Sequence, residues 1–103
     1  MNEEKRKRLE AAGWKVGEID EFLGLTPEES AIVDMKFNLA KALHEKRKRL
    51  RISQSTFARR MKTTQPKIAL AEKRADSVSI DFFVRSLLAV GASKKEIAVA
   101  MAR

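Results

Sequence analysis

Two glutamines, Gln54 and Gln65, each come one residue after a hydroxyl side chain and open a helix-favouring stretch. The Gln65 carboxamide can present a donor and an acceptor together, which matches N6 and N7 of adenine in the major groove. Gln54 can bind a phosphate, and Lys67, Lys73 and Arg74 supply positive charge for further phosphates. These residue types and their spacing suit contact with double-stranded DNA.

The charge of the chain is concentrated around these residues. The net charge is +8, and residues 31–75 carry thirteen Lys/Arg against three Asp/Glu, or +10. Residues 1–30 carry five against eight, or −3, and residues 76–103 carry four against three, or +1. A concentrated positive field attracts polyanions. A solvated, lysine-rich helix face is the alternative, and charge alone does not separate the two.

The composition argues against several other classes of protein. There is no cysteine and one histidine, His44, so neither disulfides nor a metal site is expected. No Ser/His/Asp set and no glycine-rich phosphate loop is usable, so we expect neither an enzyme nor a cofactor. No apolar run approaches the ~20 residues of a membrane span. The charged start is unlike a secretory signal. We therefore expect a cytoplasmic, nucleoid-associated protein.

The elements that must position the glutamines are helices. Two prolines, four glycines and abundant Ala, Leu, Lys, Arg and Glu predict an all-α fold. We expect an appendage at 1–25, packed on a domain at 26–103 with five helices. Thr26, Pro27 and Glu29 form a capping signal for a helix over about 27–50. Its predicted buried stripe comprises Ile32, Met35, Leu39, Leu43 and Leu50.

Hydroxyl residues also mark the other helix starts. Ser53, Thr64, Ser79 and Ser93 are each followed by a helical pattern, and Glu96 completes a capping box. Pro66 falls in the first turn of its helix, where a missing N–H costs nothing. Because Phe82 and Phe83 are adjacent, we expect them to face different sides, with Phe82 at a subunit or partner interface.

A helix of ~8 residues, a turn of three or four and a helix of ~9 have helix-turn-helix spacing. The stretch RLRISQSTFARRMKTTQPKIALAEK resembles the XRE or Cro-type helix-turn-helix module. The residues that carry the resemblance are Arg47, Ile52, Ser53, Gln54, Phe57, Ala58, Lys62, Thr63, Thr64, Ile68 and Glu72. The resemblance implies a compact, lambda-repressor-like DNA-binding domain. It also implies that Arg47 and Glu72 pair and tie two helices together; two unrelated surface charges are the alternative.

The resemblance also implies which side chains face the bases. Those positions are Gln65, Pro66, Ala69 and Leu70, of which only Gln65 is polar. Pro66 and Leu70 could touch thymine methyl groups, so we expect an operator rich in A·T contacts. The candidate DNA-binding residues are Ser53, Gln54, Thr64, Gln65, Pro66, Lys67, Ala69, Leu70, Lys73 and Arg74.

Three positions depart from the family pattern, and one of them is Thr63, which replaces the usual valine. Lys62 replaces the glycine of the turn, so either this lysine adopts the same geometry with strain of about 1 kcal/mol, or the turn differs. Ala71 replaces a bulky apolar residue, so we expect Trp14 and Phe22 to supply the missing packing.

The layout of the whole chain resembles small stand-alone XRE proteins of the HigA type, the antitoxins of type II toxin–antitoxin pairs. This resemblance implies a homodimer that binds an operator, represses its own operon and binds a RelE/HigB-like toxin. A protein-binding module that neutralises such a toxin, with DNA binding secondary, is one alternative, and acidic residues 1–30 favour it. A solitary XRE regulator without a toxin is another.

Overall fold

The computed structural model describes residues 24–103, together with Lys7. These residues form five α-helices and no strand, which confirms the predicted all-helical fold. The predicted appendage at 1–25, with Trp14 and Phe22 as packing partners, lies almost wholly outside the described residues. The elements are α1 (Pro27–Arg49), α2 (Gln54–Arg60), α3 (Gln65–Lys73), a 3-10 turn (Ala75–Ser77), α4 (Ile80–Ala89) and α5 (Lys94–Met101).

Each helix begins where a hydroxyl residue predicts it. Thr26 Oγ1 accepts a hydrogen bond from the Glu29 N–H at 3.1 Å, and Glu29 Oε1 accepts one from the Thr26 N–H at 3.2 Å. In the other four helices the side-chain oxygen of the N-cap residue accepts a hydrogen bond from the N–H three residues later; these residues are Ser53, Thr64, Ser79 and Ser93. Such caps satisfy N–H groups that have no partner inside the helix, so the starts are fixed locally.

The core forms around α1, against which α3, α4, α5 and the 3-10 turn pack. Leu39 and Leu43 of α1 are fully buried, as are Phe57 of α2, Ile68 of α3 and Phe83 of α4. Burying side chains of this size contributes ~1.5–3 kcal/mol each. The two short helices α2 and α3 are thus each anchored in the core by at least one large side chain.

The predicted buried stripe of α1 was wrong at both ends. Ile32 is 41% exposed and Leu50 is 47% exposed. Leu50 lies past the last turn as the C-cap residue. Val33 is buried in place of Ile32, because the buried face of α1 also follows the seven-residue steps from Val33 to Ala40 to Arg47.

The prediction for Phe82 was also wrong. Phe82 and Phe83 are both buried, with ring centroids 6.4 Å apart and an interplanar angle of 77°. Adjacent helical residues can both be buried where a helix is covered on two sides. Here both rings belong to the same core cluster, and Lys67 of α3 lies over the Phe82 ring.

None of the helices in the described part of the chain has both the length and the apolar character that crossing a bilayer requires.

Candidate nucleic-acid interface

Helices α2 and α3 are short and are joined by residues 61–64. Each has two buried residues: Phe57 and Ala58 on α2, and Ile68 and Ala71 on α3. The remaining faces are exposed or half-buried. Core packing on one face therefore fixes how α2 and α3 lie, and the polar residues of both helices lie on the opposite face.

The turn between α2 and α3 contains the strained position that the resemblance implied. Lys62 has a φ of 55°, in the left-handed region that glycine adopts without strain. Its N–H donates to Arg59 O at 3.2 Å, and the Thr63 N–H donates to Ala58 O at 2.9 Å. These bonds satisfy the last carbonyls of α2 and turn the chain into the Thr64 cap of α3.

The two glutamines named above meet in the structure. Gln65, the first residue of α3, is exposed, and its Nε2 donates to Gln54 Oε1 at 2.7 Å. Gln54 Nε2 in turn lies 3.5 Å from Glu72 Oε1, at the long limit of a hydrogen bond. None of the described residues donates to the Gln65 oxygen, so this carboxamide keeps an acceptor and a second N–H for a ligand.

Beneath the glutamines, Arg47 and Glu72 form an ion pair that joins α1 to α3. Arg47 Nε donates to Glu72 Oε2 and Arg47 Nη2 to Glu72 Oε1, both at 2.8 Å. The side chains are only 10% and 4% exposed. Arg47 Nη1 also donates to Ile52 O at 2.8 Å, which fixes the segment leading into α2. The pair thus joins α1 to α3, and Arg47 also holds the segment that leads into α2.

The electrostatics of the pair follow from its hydrogen bonds. The hydrogen bond to Glu72 raises the pKa of Arg47 above its usual value, against the effect of burial. Burial acts to raise the pKa of the Glu72 carboxyl, but hydrogen bonds from Arg47 and His44 outweigh it, and that pKa is lowered. Both groups therefore stay charged at neutral pH, and Glu72 remains an acceptor for Gln54.

Some of the other predicted DNA-binding residues are exposed, and others already contact groups of the protein itself. Pro66, Leu70, Lys73 and Arg74 are exposed on α3 or just after it, and Ala69 is half-buried. Two hydroxyls, those of Ser53 and Thr64, already accept backbone N–H groups as helix caps. Lys67 is half-buried, and its Nζ lies 5.2 Å from the centroid of the Phe82 ring, a cation–π distance.

Sequence reasoning missed His44 as a member of this cluster. Its Nδ1 lies 2.7 Å from Glu72 Oε1, although about half of the side chain is exposed. A usable signal was present, because His44 precedes Arg47 by three residues on α1 and residues at that spacing share a helix face. Among the described residues, no group of three His, Cys, Asp or Glu side chains could hold a metal ion.

No protein-family model, no curated protein and no solved structure gives a significant match to this chain. The geometry and charge of the α2–α3 helix pair are therefore the features that indicate a function.

Proposed function

We propose that this chain is a sequence-specific DNA-binding protein that represses transcription as a homodimer, with α3 entering the major groove. The observation that carries the proposal is the hydrogen-bonded amide pair of Gln54 and Gln65. It lies at the exposed start of α3, and Gln54 connects it to the buried carboxylate of Glu72. A side chain that must read a base needs its orientation fixed before binding.

The chemistry of the amide pair favours adenine. With one N–H of Gln65 given to Gln54, its oxygen can accept from adenine N6 and its second N–H can donate to N7. Such a bidentate contact contributes ~1–3 kcal/mol of discrimination against other bases. Exposed Pro66 and Leu70 suit thymine methyl groups, so the proposed operator is rich in A·T pairs.

The proposed homodimer follows from the small number of base contacts. One polar base-facing side chain gives too little discrimination to select a site among many competitors. Two copies related by a two-fold axis double the contacts and read a palindrome whose half-sites are about 34 Å apart. The basic excess of residues 31–75 supplies the phosphate attraction that such a complex needs.

We further propose that the protein is an antitoxin that represses its own operon and binds a RelE/HigB-like toxin. The charge asymmetry supports this, because acidic residues 1–30 suit a basic partner while the basic middle suits DNA. The same asymmetry favours the second candidate, a module whose main task is toxin neutralisation. A solitary regulator would need no such partner.

The test begins with selection of binding sites from a random-sequence duplex library, followed by fluorescence anisotropy on the selected site. We expect Gln65→Ala to weaken binding to that site ~5- to 150-fold, corresponding to the loss of a bidentate base contact. Its affinity for a random duplex should hardly change. Lys94→Ala, on α5, is the control for a general effect of surface mutation. Absence of any selected site, or equal loss on both duplexes, would contradict the proposal.

The toxin question needs a separate experiment. Co-expression with the product of a neighbouring reading frame should yield a complex that survives size-exclusion chromatography. Removal of residues 1–25 should release the partner while DNA binding persists. If Gln65→Ala and Lys67→Ala both leave operator binding unchanged, while that truncation abolishes the complex, toxin neutralisation is the main function.

A further inference from the structure

Three helices of the described chain, α1, α2 and α4, end in the same backbone motif. In each, the first residue after the C-cap has a positive φ: Arg51 at 57°, Lys62 at 55° and Gly91 at 89°. In each, the N–H of this residue and the N–H of the residue after it donate to carbonyls near the end of the helix, as in a Schellman motif. The six bonds are Arg51 N–Lys48 O, Ile52 N–Arg47 O, Lys62 N–Arg59 O, Thr63 N–Ala58 O, Gly91 N–Leu88 O and Ala92 N–Leu87 O, all between 2.9 and 3.2 Å.

Only α4 uses the residue that this conformation favours. Glycine has no Cβ and adopts positive φ without strain, whereas other L-residues do so at a cost in stability. Arg51 and Lys62 are the non-glycine residues of the described chain with positive φ, and both are exposed cations. Glycine at these two sites would remove the strain. The chain instead has a long basic side chain at each strained position.

The two cations occupy equivalent places relative to the amide pair. Arg51 precedes Gln54 by three residues, and Lys62 precedes Gln65 by three residues. Three residues span at most about 11 Å, so each cation lies near the glutamine that follows it. The glutamines are themselves joined at 2.7 Å. Gly91, by contrast, leads into α5, which carries no part of the candidate interface.

We propose that Arg51 and Lys62 each bind a phosphate of the DNA backbone close to the Gln54–Gln65 pair. The inference rests on the proposed DNA-binding function and adds two residues to its interface. Strained backbone positions cluster at functional sites. Because phosphates occur at every step of a duplex, these contacts increase affinity for any sequence and leave sequence preference to Gln65.

The experiment uses the full chain and a fluorescein-labelled 30-base-pair duplex of random sequence. Anisotropy titrations between 0.05 and 0.4 M KCl give affinity and its salt dependence, and thermal melts followed by circular dichroism give Tm. Arg51→Gly and Lys62→Gly remove both charge and strain. Arg51→Gln and Lys62→Gln remove charge alone. Gly91→Lys is the matched control, because a Cβ there would have no neighbour within 4 Å, so the variant adds strain and a positive charge at a site outside the candidate interface.

Each glycine variant should melt roughly 4 °C higher, because the left-handed strain is relieved. Each should also bind the duplex about eightfold more weakly at 0.1 M salt, with the slope of log affinity against log salt reduced by about 0.9. The glutamine variants should lose the same affinity without the gain in Tm. Gly91→Lys should lower Tm and leave the salt slope unchanged.

The outcomes separate the inference from the function on which it rests. If the glycine variants melt higher but keep wild-type affinity and salt slope, the phosphate contacts are disproved while DNA binding stands. If the affinity loss occurs equally with Lys94→Gln on α5, the contacts are not local and the inference fails. If the wild-type chain binds no duplex at 0.05 M salt, both the inference and the proposed function are overturned.

Discussion

Replacing either partner of the Arg47–Glu72 pair leaves a buried charge without its counter-ion. Arg47→Met leaves the Glu72 carboxylate, 4% exposed, with His44 as its remaining close partner. Glu72→Met leaves the Arg47 guanidinium, 10% exposed, with only Ile52 O within hydrogen-bonding distance among the described residues. Breaking a buried pair in this way costs ~3–5 kcal/mol. We expect Arg47→Met near the lower value and Glu72→Met near the upper.

Removing both charges together should cost much less than the sum of the costs of the two single substitutions. Two methionines roughly fill the space without any buried charge, and replacements of this kind are often close to neutral. The Ile52 carbonyl loses its donor in the double variant, which costs ~1–3 kcal/mol. The two single variants together cost ~8 kcal/mol and the double variant ~1–3 kcal/mol, so the double-mutant cycle should give a coupling energy of ~5 kcal/mol or more between Arg47 and Glu72.

The assay is urea unfolding followed by circular dichroism, and the chain offers a matched control. Arg85 and Asp81 form a second arginine–carboxylate pair at 2.9 Å, but their side chains are 63% and 75% exposed. The same cycle on that pair should give less than ~0.5 kcal/mol, because water screens exposed charges. Equal coupling energies in the two cycles would refute the argument that burial makes the first pair costly to break.

Three further predictions concern stability. Ser86 is fully buried and its Oγ has no partner among the described residues, so Ser86→Ala should raise the free energy of unfolding by ~1 kcal/mol in urea titrations. Phe57→Ala should cost ~3–5 kcal/mol and lower Tm by more than ~10 °C, because the side chain is fully buried in the core. The pKa of Glu72 is lowered in the folded state, so its contribution is complete above its ordinary value of 4.5 and is lost as pH falls from there through the folded pKa. The Tm difference between wild type and Glu72→Gln should accordingly shrink below pH 4.5.

The helix starts were predictable because their signals are local. Thr26 and Glu29 satisfy each other's backbone N–H groups within one turn, and no distant residue is needed. Ser93 and Glu96 repeat the arrangement at α5. Signals of this kind are contained in four consecutive residues and do not depend on how the helices later pack.

Burial and side-chain contacts between helices were less predictable. Exposure of Ile32 and burial of Phe82 depend on which neighbours cover each face, and the spacing of apolar residues does not contain that information. The contact of Gln54 with Gln65 depends on how α2 crosses α3. The sequence identified both glutamines as candidates but not that they would be joined.

The arrangement divides the proposed recognition between two kinds of polar residue. The amide pair is connected through Glu72 to Arg47, which also holds the carbonyl of Ile52 just before α2. The orientation of Gln65 therefore depends on α1, a helix that need not touch a base. In the proposed interface, the exposed cations Arg51 and Lys62 at the ends of α1 and α2 would act through charge alone. Substitutions in the buried network should consequently alter stability and base preference together, whereas substitutions of the cations should alter salt-dependent affinity and leave base preference intact.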